Sequence, residues 1–225
     1  MVGFFQIVRR NLSPLAWSLL VPLCLIAIHY IRGIDNSAQY VAKGQSLLAM
    51  QQWSAAERMF QAVVEMAPDD HVAWSGLATA LRELKKFDEA ADAHRRALSL
   101  FPYHVDYVIT FADTLCAAGR YRDARIELQK LRQRNYARSD RPNEVTARLV
   151  NICHQLNERP LALELLDEDL RKSPKDATLL RLRGDTYLLM GATESALSDL
   201  EAAARSAPND ATIIAHLNAA RTRVR

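Results

Sequence analysis

The chain has 225 residues, of which 24% are charged, and its formal net charge at pH 7 is +3. Only seven glycines occur, so there is little material for a glycine-rich loop that cradles a phosphate group. The sequence also has no HExxH, CxxC or GxxxxGK[S/T] motif. We therefore expect no catalytic residues, no metal site and no cofactor, and we predict that the protein is not an enzyme.

An apolar segment lies near the amino terminus. Residues 12–31 contain no Asp, Glu, Lys or Arg, and a helix of that length spans a hydrocarbon core of about 30 Å. The segment is longer than the apolar region of a cleaved signal peptide, and no convincing cleavage site follows it. We predict an uncleaved signal anchor: a transmembrane helix at 12–32, preceded by residues 1–11 and followed by a linker at 33–36.

The charges that flank this segment predict its orientation. Arg9 and Arg10 precede it, whereas Arg32 follows it and is partly offset by Asp35. Because Lys and Arg are enriched on the cytoplasmic side of membrane proteins, we expect residues 1–11 in the cytoplasm and the rest of the chain outside it. In a bacterium this predicts a single-pass inner-membrane protein whose larger part lies in the periplasm.

From residue 37 onwards, prolines and alanines recur with a period of 34 residues. Pro68 and Pro102 are one period apart, and so are Pro174 and Pro208. An alanine series with successive spacings of 34, 34, 38 and 34 residues consists of Ala56, Ala90, Ala124, Ala162 and Ala196. One insertion of four residues near position 140 explains both series, so the sequence predicts a repeat protein.

The period divides residues 37–210 into five units, each of which reads as two amphipathic helices. The units are 37–70, 71–104, 105–142, 143–176 and 177–210. In the second unit, Trp74, Leu77 and Leu81 share one helical face, and Asp88 is a candidate N-cap for the second helix. The extra residues of the third unit fall in NYARSDRP, whose composition predicts a loop.

The last segment, residues 211–225, continues the helical periodicity. A terminal element of a repeat array needs a polar outer face, and this segment ends in a basic tail. We therefore predict a capping helix that packs on the second helix of the fifth unit, with Ile214 and Leu217 facing inward.

The residue pattern of these units resembles the tetratricopeptide repeat family, whose motif is W-x2-L-G-x2-Y, then A-x3-F, then P. The second unit fills the motif positions with Trp74, Leu77, Ala78, Leu81, Ala90, His94, Ala97 and Pro102. Small residues such as Gly44 and Gly184 fall where two helices approach closely, whereas Cys153 and Asp169 depart from the usual residue classes. The resemblance implies an all-α fold: a right-handed superhelix of five helix-turn-helix repeats plus a C-terminal capping helix, here preceded by one transmembrane helix.

Cys116 and Cys153 fall on the first helices of neighbouring units. Packed helices are about 8 to 10 Å apart, whereas a disulfide needs Cα atoms within about 7 Å. We therefore predict that both are buried free thiols.

The resemblance also implies a function in protein or peptide binding, because the first helices of the units line a concave face in this family. Candidate groove residues are Thr79, Arg82, Asp113, Arg148, Asn151, His154, Arg181 and Asp185. If Arg148, Asn151 and Arg181 converge, with both arginines pointing into solvent, they would suit a carboxylate or a backbone carbonyl of an extended peptide. Alternatively, Arg181 pairs with Asp185, which lies one turn away.

A second candidate surface is basic. Residues 120–141 contain seven arginines and one lysine against three acids. This density would suit lipid headgroups or an acidic protein, but the stretch has no motif for stacking nucleic acid bases, so nucleic acid is not expected. The alternative is a solvated helix face without a partner.

Two functions follow from these features. The first is a membrane-anchored scaffold or adaptor that binds protein partners during assembly or stabilisation of a cell-envelope complex, such as a secretion, polysaccharide-export, pilus or cytochrome-maturation complex. The second is a membrane-tethered chaperone for unfolded clients.

Overall fold

The structure is a computed structural model that describes residues 37–102, 104–134 and 142–222. These residues form eleven α-helices and no strand. The helices are α1 (37–49), α2 (Trp53–Met66), α3 (His71–Glu83), α4 (Phe87–Leu100), α5 (Val105–Ala117), α6 (Tyr121–Gln133), α7 (Pro142–Gln155), α8 (Arg159–Lys172), α9 (Ala177–Leu189), α10 (Thr193–Ser206) and α11 (Ala211–Thr222).

The predicted transmembrane helix at 12–32 lies outside the described residues, together with the flanking segments 1–11 and 33–36. None of the helices within residues 37–222 that the structure describes combines the length and the apolar character needed to cross a bilayer. The described chain divides at Pro102 into two compact units, each larger than one repeat: the first contains α1–α4 and the second contains α5–α11. Below, "first unit" and "second unit" mean these two units, and the individual repeats are called pairs or repeats.

The connections between helices follow the repeat. Three residues join the two helices of each pair: 50–52, 84–86, 118–120, 156–158 and 190–192. Four residues lead to the next pair at 67–70, 101–104, 173–176 and 207–210. The connection between α6 and α7 runs from 134 to 141, so the four additional residues lie there.

Each three-residue turn reverses the chain through one left-handed residue. These residues are Gln51, Lys85, Gly119, Asn157 and Gly191, with φ between 58° and 78°. In the second pair, the N–H of Lys85 donates to the carbonyl of Arg82 at 2.9 Å, and the N–H of Lys86 donates to the carbonyl of Leu81 at 2.9 Å. These two bonds form a Schellman motif, which satisfies carbonyls at the end of the preceding helix.

The turn geometry corrects the predicted N-cap of α4. The helix begins at Phe87, its N-cap residue is Lys86, and no side chain caps it, whereas Asp88 lies within the first turn. The turn leaves no room for a capping residue because Lys86 already closes the Schellman motif. Side-chain caps instead start three of the first helices: Asp70 accepts from the N–H groups of Val72 and Ala73, both at 2.9 Å. Asp176 and Asp210 do the same for α9 and α11.

In the first unit, the ring of Phe60 is fully buried between three helices. A Cβ atom added at Gly44 on α1 would lie 2.7 Å from this ring, and one added at Gly76 on α3 would lie 2.3 Å from it. The predicted close approach at Gly44 is therefore confirmed, and Gly76 shares the same role. Gly184 behaves alike in the second unit, where an added Cβ would lie 2.9 Å from Leu200.

Helix α1 has a polar outer face. In α3, the residues Ala73, Leu77 and Ala80 are buried in the core that also contains α2. The equivalent positions one period earlier in α1 are Gln39, Lys43 and Ser46, which are all exposed. Amide, charged and hydroxyl side chains thus replace the apolar residues at this end of the described helices, as in the terminal repeats of soluble arrays.

At the other end, α11 packs on α9 and α10, and Leu217 and Ala220 join a core with Leu200. The predicted contact with the second helix of the fifth repeat is confirmed. The prediction for Ile214 is wrong, because its side chain is 40% exposed whereas Ile213 is 2% exposed. Ile213 and Ile214 lie one period after Leu179 and Leu180, which are both buried. Helix α9 has a second helix, α10, in its pair, whereas no helix follows α11 among the described residues, so we infer that Ile214 lacks the helix that would cover it.

A buried polar network replaces apolar packing between α6, α7 and α8. The guanidinium of Arg132 donates to both carboxylate oxygens of Asp169, at 2.8 and 2.9 Å, and the hydroxyl of Thr146 donates to the same carboxylate at 2.6 Å. The side chains of Arg132 and Asp169 are only 13% and 15% exposed. Asp169 departs from the repeat motif because it is the partner of this arginine.

Candidate binding cleft

A cleft of about 710 Å³ runs along α7, α9 and α11 in the second unit. We call it the C-terminal cleft. Its lining residues are Ala147, Asn151, His154, Arg181, Leu182, Asp185, Leu188, Leu189, Ala215, His216 and Ala219. The lining follows the 34-residue period, because equivalent turns of three successive first helices face the same space. Four of the predicted groove residues, Asn151, His154, Arg181 and Asp185, lie together here.

Asp185 lies at the centre of the polar part of this cleft. Its Oδ2 atom accepts a hydrogen bond from Nη1 of Arg181 at 2.7 Å, and its Oδ1 atom is 2.6 Å from Nδ1 of His216. The pairing of Arg181 with Asp185 was one of the two alternatives from the sequence, and it is confirmed. His216 was not among the predicted groove residues because it lies in the capping helix, although it is one period after Leu182 and so occupies a groove position.

His154 is held in one tautomer at the edge of the cleft. The hydroxyl of Thr186 donates to the carbonyl of Leu182 at 2.8 Å, and Nε2 of His154 lies 2.9 Å from the same hydroxyl. Since that hydroxyl has used its hydrogen, Nε2–H of His154 must be the donor. Burial lowers the pKa of His154, so the ring is neutral at pH 7 and its Nδ1 atom is an acceptor.

Asn151 is exposed, and none of the described residues forms a hydrogen bond with its side-chain amide. It lines the C-terminal cleft and also a smaller cleft of about 260 Å³ between α5, α6 and α7. An amide carries both donors and an acceptor, so Asn151 offers both kinds of group at the boundary of the two clefts.

Asp113 and Arg148 line the smaller cleft. Nε of Arg148 donates to Asp113 at 3.0 Å, and Nη1 of Arg148 donates to Glu144 at 3.0 Å. Cys116 lies beside them, and burial together with the charge of Asp113 raises the pKa of its thiol to about 11. Cys116 and Cys153 are free thiols, but only Cys153 is buried as predicted, because Cys116 lines the smaller cleft.

The predicted convergence of Arg148, Asn151 and Arg181 is only partial. Arg148 lies in the smaller cleft and Arg181 in the C-terminal cleft, and Asn151 borders both. The expectation that both arginines point into solvent is wrong, because their side chains are 29% and 21% exposed and each forms ion pairs. Carboxylates of the protein itself already occupy the positions that we expected a partner to fill.

The two remaining predicted groove residues lie on α3 in the first unit. The hydroxyl of Thr79 donates to the carbonyl of Ser75 at 3.0 Å, and the guanidinium of Arg82 pairs with Glu83 at 2.8 Å. Both side chains are partly buried, and neither lines either of the clefts in the second unit.

Much of the basic stretch is paired within the protein. Arg120 binds Asp123, Arg125 binds Glu158, Lys130 binds Glu127, and Arg132 binds Asp169. These pairs favour the interpretation of residues 120–134 as a helix surface neutralised by its own carboxylates, and residues 135–141 lie outside the described part. Within residues 37–222 that the structure describes, no three His, Cys, Asp or Glu side chains form a group that could hold a metal ion.

Comparisons with known proteins give the family. Two sequence profiles described as tetratricopeptide repeat match residues 41–105 with 155–211 and residues 81–149, respectively. DnaJ homolog subfamily C member 3 of Rattus norvegicus is 26% identical over 179 residues, which are 74% of this chain and 35% of that protein. The chain thus spans about a third of that relative.

Solved structures show the same fold. YrrB, described as a TPR protein with an unusual peptide-binding site, has a TM-score of 0.61 at 17% identity and covers 84% of this chain and 97% of its own. PilW, described as a widely conserved type IV pilus biogenesis factor, has a TM-score of 0.61 at 17% identity and covers 83% of this chain and 89% of its own. With its helix pairs, its 34-residue period and these matches, the chain belongs to the tetratricopeptide repeat family, whose members are protein-interaction scaffolds.

Proposed function

We propose that this protein is a membrane-anchored scaffold that binds a segment of a partner protein in the C-terminal cleft and holds that partner at a cell-envelope complex. The observation that carries the proposal is the set of groups in the cleft that the fold leaves available. The amide of Asn151, Nδ1 of His154 and most of the N–H groups of Arg181 make no bond to the described residues.

The dimensions and chemistry of the cleft suit a short stretch of polypeptide. Ligand sites have volumes of about 300 to 1,000 Å³, and this cleft has about 710 Å³. Donors and acceptors alternate along a peptide backbone, and Asn151, His154 and Arg181 offer both kinds of partner. Leu188 and Leu189 add an apolar wall for one side chain of the bound segment.

The membrane part of the proposal rests on the sequence. Residues 12–32 form the anchor, residues 1–11 lie in the cytoplasm, and the repeats lie in the periplasm at a bacterial inner membrane. The likeness to a pilus biogenesis factor supports an envelope role. A reporter enzyme that is active only after export, fused after Arg225, tests this topology: activity is expected, and a silent reporter at normal expression reverses the orientation.

The second candidate is a membrane-tethered chaperone that holds unfolded clients. The apolar lining of the cleft by Leu188, Leu189, Ala215 and Ala219 favours it, since exposed apolar surface accepts apolar residues of many sequences. Purification of the full chain in mild detergent separates the two functions. One stoichiometric partner supports the scaffold, and a mixture of unrelated unfolded chains supports the chaperone.

Truncation of Asn151 is expected to weaken partner binding without loss of stability. Asn151→Ala removes one or two hydrogen bonds to the bound segment, each worth about 1 kcal/mol, which corresponds to a loss of affinity of about five- to thirtyfold. The free energy of unfolding should change by less than about 0.5 kcal/mol, because the side chain is exposed. Titration of the co-purified partner against the full chain measures the affinity, and thermal unfolding measures the stability.

Asn218→Ala is the matched control, because Asn218 is an exposed asparagine on α11 that does not line the cleft. Its affinity for the partner should equal that of the unmodified protein. Equal binding by Asn151→Ala and Asn218→Ala would place the interface outside the C-terminal cleft.

A further inference from the structure

We propose that Asp113 and Asp185 determine which peptides the two clefts bind. Asp113 neutralises Arg148 in the smaller cleft, and Asp185 neutralises Arg181 in the C-terminal cleft. As a result, the clefts accept an extended peptide segment with neutral side chains and reject an acidic one. This inference rests on the proposed peptide-binding function and adds the chemical class of the bound segment.

The two carboxylates occupy the same position of the repeat, in the third and fifth pairs. Each reaches a cationic or ionisable side chain on the first helix of the next pair. Asp113 on α5 accepts from Nε of Arg148 on α7 at 3.0 Å, and Oδ1 of Asp185 on α9 lies 2.6 Å from Nδ1 of His216 on α11. Arg148 and His216 are separated by two periods of 34 residues. The same arrangement, a carboxylate on one first helix that contacts a side chain on the next first helix, therefore occurs twice.

Every charged group that lines the C-terminal cleft takes part in this internal pairing. Asp185 binds Arg181 through one oxygen and meets His216 through the other. In the smaller cleft, the positive charge of Arg148 is matched by Asp113 and Glu144. His154 is neutral and hydrogen-bonded to Thr186. The positive charge of Arg181 is already balanced by Asp185. An acidic side chain of a peptide would therefore gain little from Arg181 and would be repelled by Asp185 at close range.

The fourth pair, which lies between the two carboxylates along the groove, is neutral at this position. Asn151 takes the repeat position of Asp113 and Asp185, and the residue one period after Arg148 is the apolar Leu182. The fourth pair thus has the amide of Asn151 at the position where the third and fifth pairs have a carboxylate. An amide pairs with backbone N–H and C=O groups of any sequence, so recognition at the centre depends on hydrogen bonds rather than on charge.

These features define the bound segment. It is extended, so that its backbone reaches Asn151 and the available N–H groups of Arg181. It carries no Asp or Glu where it passes Asp185, and it places an apolar side chain against Leu188 and Leu189. Charge complementarity thus selects a neutral peptide over an acidic one.

Selection from a peptide library tests this inference. The full chain in detergent is incubated with random heptapeptides whose ends are acetylated and amidated, and the bound peptides are sequenced. The pool bound by the unmodified protein should contain fewer Asp and Glu residues than the input library. Asp185→Asn keeps the shape of the side chain but frees the charge of Arg181, so acidic residues in its pool should rise by about tenfold at one position.

Asp92→Asn is the control for net charge, because Asp92 is an exposed carboxylate on α4 that pairs with Arg95. Its pool should match that of the unmodified protein. Asp113→Asn gives an independent second test in the smaller cleft, where a smaller rise in acidic residues is expected because Glu144 still pairs with Arg148. Far-UV circular dichroism of each variant verifies that it is folded before its pool is compared.

The outcomes separate the inference from the function on which it rests. If folded Asp185→Asn and Asp113→Asn select the same acid content as the unmodified protein, while Asn151→Ala loses enrichment, peptide binding stands and the specificity role of the carboxylates is overturned. If the unmodified protein enriches no peptides relative to Asn151→Ala, peptide binding in the cleft fails, and the inference fails with it.

Discussion

Replacement of Asp169 by alanine is expected to destabilise the protein by about 3 to 5 kcal/mol, because breaking a buried ion pair is strongly destabilising and leaves Arg132 with only the half-exposed carboxylate of Glu168. The side chain of Arg132 is 13% exposed and makes two hydrogen bonds to this carboxylate. The buried hydroxyl of Thr146 would lose its acceptor as well. Urea denaturation followed by far-UV circular dichroism measures the loss.

Two variants show whether the buried charge is the cause. Glu168→Ala removes a second carboxylate that contacts Arg132, but its side chain is 48% exposed, so a loss of less than about 1 kcal/mol is expected. Combining Arg132→Met with Asp169→Leu removes both charges and should recover most of the stability. A loss below about 1 kcal/mol for Asp169→Ala alone would mean that Glu168 and water compensate Arg132 and that the buried pair contributes little to stability.

Acidification is expected to destabilise the first unit through His94. Burial, with a smaller contribution from the charge of Arg82, lowers the pKa of His94 to about 3. The ordinary value is 6.5, so between pH 6.5 and about pH 3 the unfolded chain binds a proton that the folded chain excludes. Stability therefore falls as the pH drops below 6.5, by roughly 2 kcal/mol at pH 5 at 1.4 kcal/mol for each pH unit.

His94→Phe should flatten this dependence, because the ionisable ring is replaced by the aromatic residue that the repeat motif has at this position. Urea denaturation at pH 8, 6.5 and 5 measures the free energy of unfolding of both proteins. The value at pH 8 is the internal control, since neither state binds the proton there. Parallel pH curves for the two proteins would show that groups other than His94 cause the loss.

Much of the fold could be predicted from the sequence, because the 34-residue period is marked by positions at which only one kind of residue fits the structure. Proline cannot continue a helix, and small residues are required where Phe60 or Leu200 packs against a facing helix. The helix start at Phe87 could not be predicted by the rule that an acidic residue caps a helix, because the preceding left-handed turn fixes the start. The exposure of Ile214 depends on which helices surround α11, and helical periodicity alone does not give this.

The site was predicted less completely, for an electrostatic reason. The repeat register places Asn151, His154, Arg181 and Asp185 on one face, and the structure brings them into one cleft. The repeat register does not predict which charged side chains form ion pairs with each other. Pairs such as Arg148 with Asp113 join residues that are 35 positions apart and lie on different helices. The departure of Asp169 from the motif was visible in the sequence. The sequence indicates Arg132, the partner of Asp169, only as one member of a basic stretch, because the two residues are 37 positions apart.

The burial of Phe60 between Gly44 and Gly76 has a consequence for how the array opens. In repeat arrays each repeat contacts only its neighbours, so an end repeat is held by a single interface. Here a single ring packs against α1 and α3 at once, so α1 cannot fray without uncovering an aromatic side chain that also supports the second repeat. We therefore expect the first two repeats to open as one cooperative unit, so that amide protons at this end of the described chain exchange together rather than in sequence.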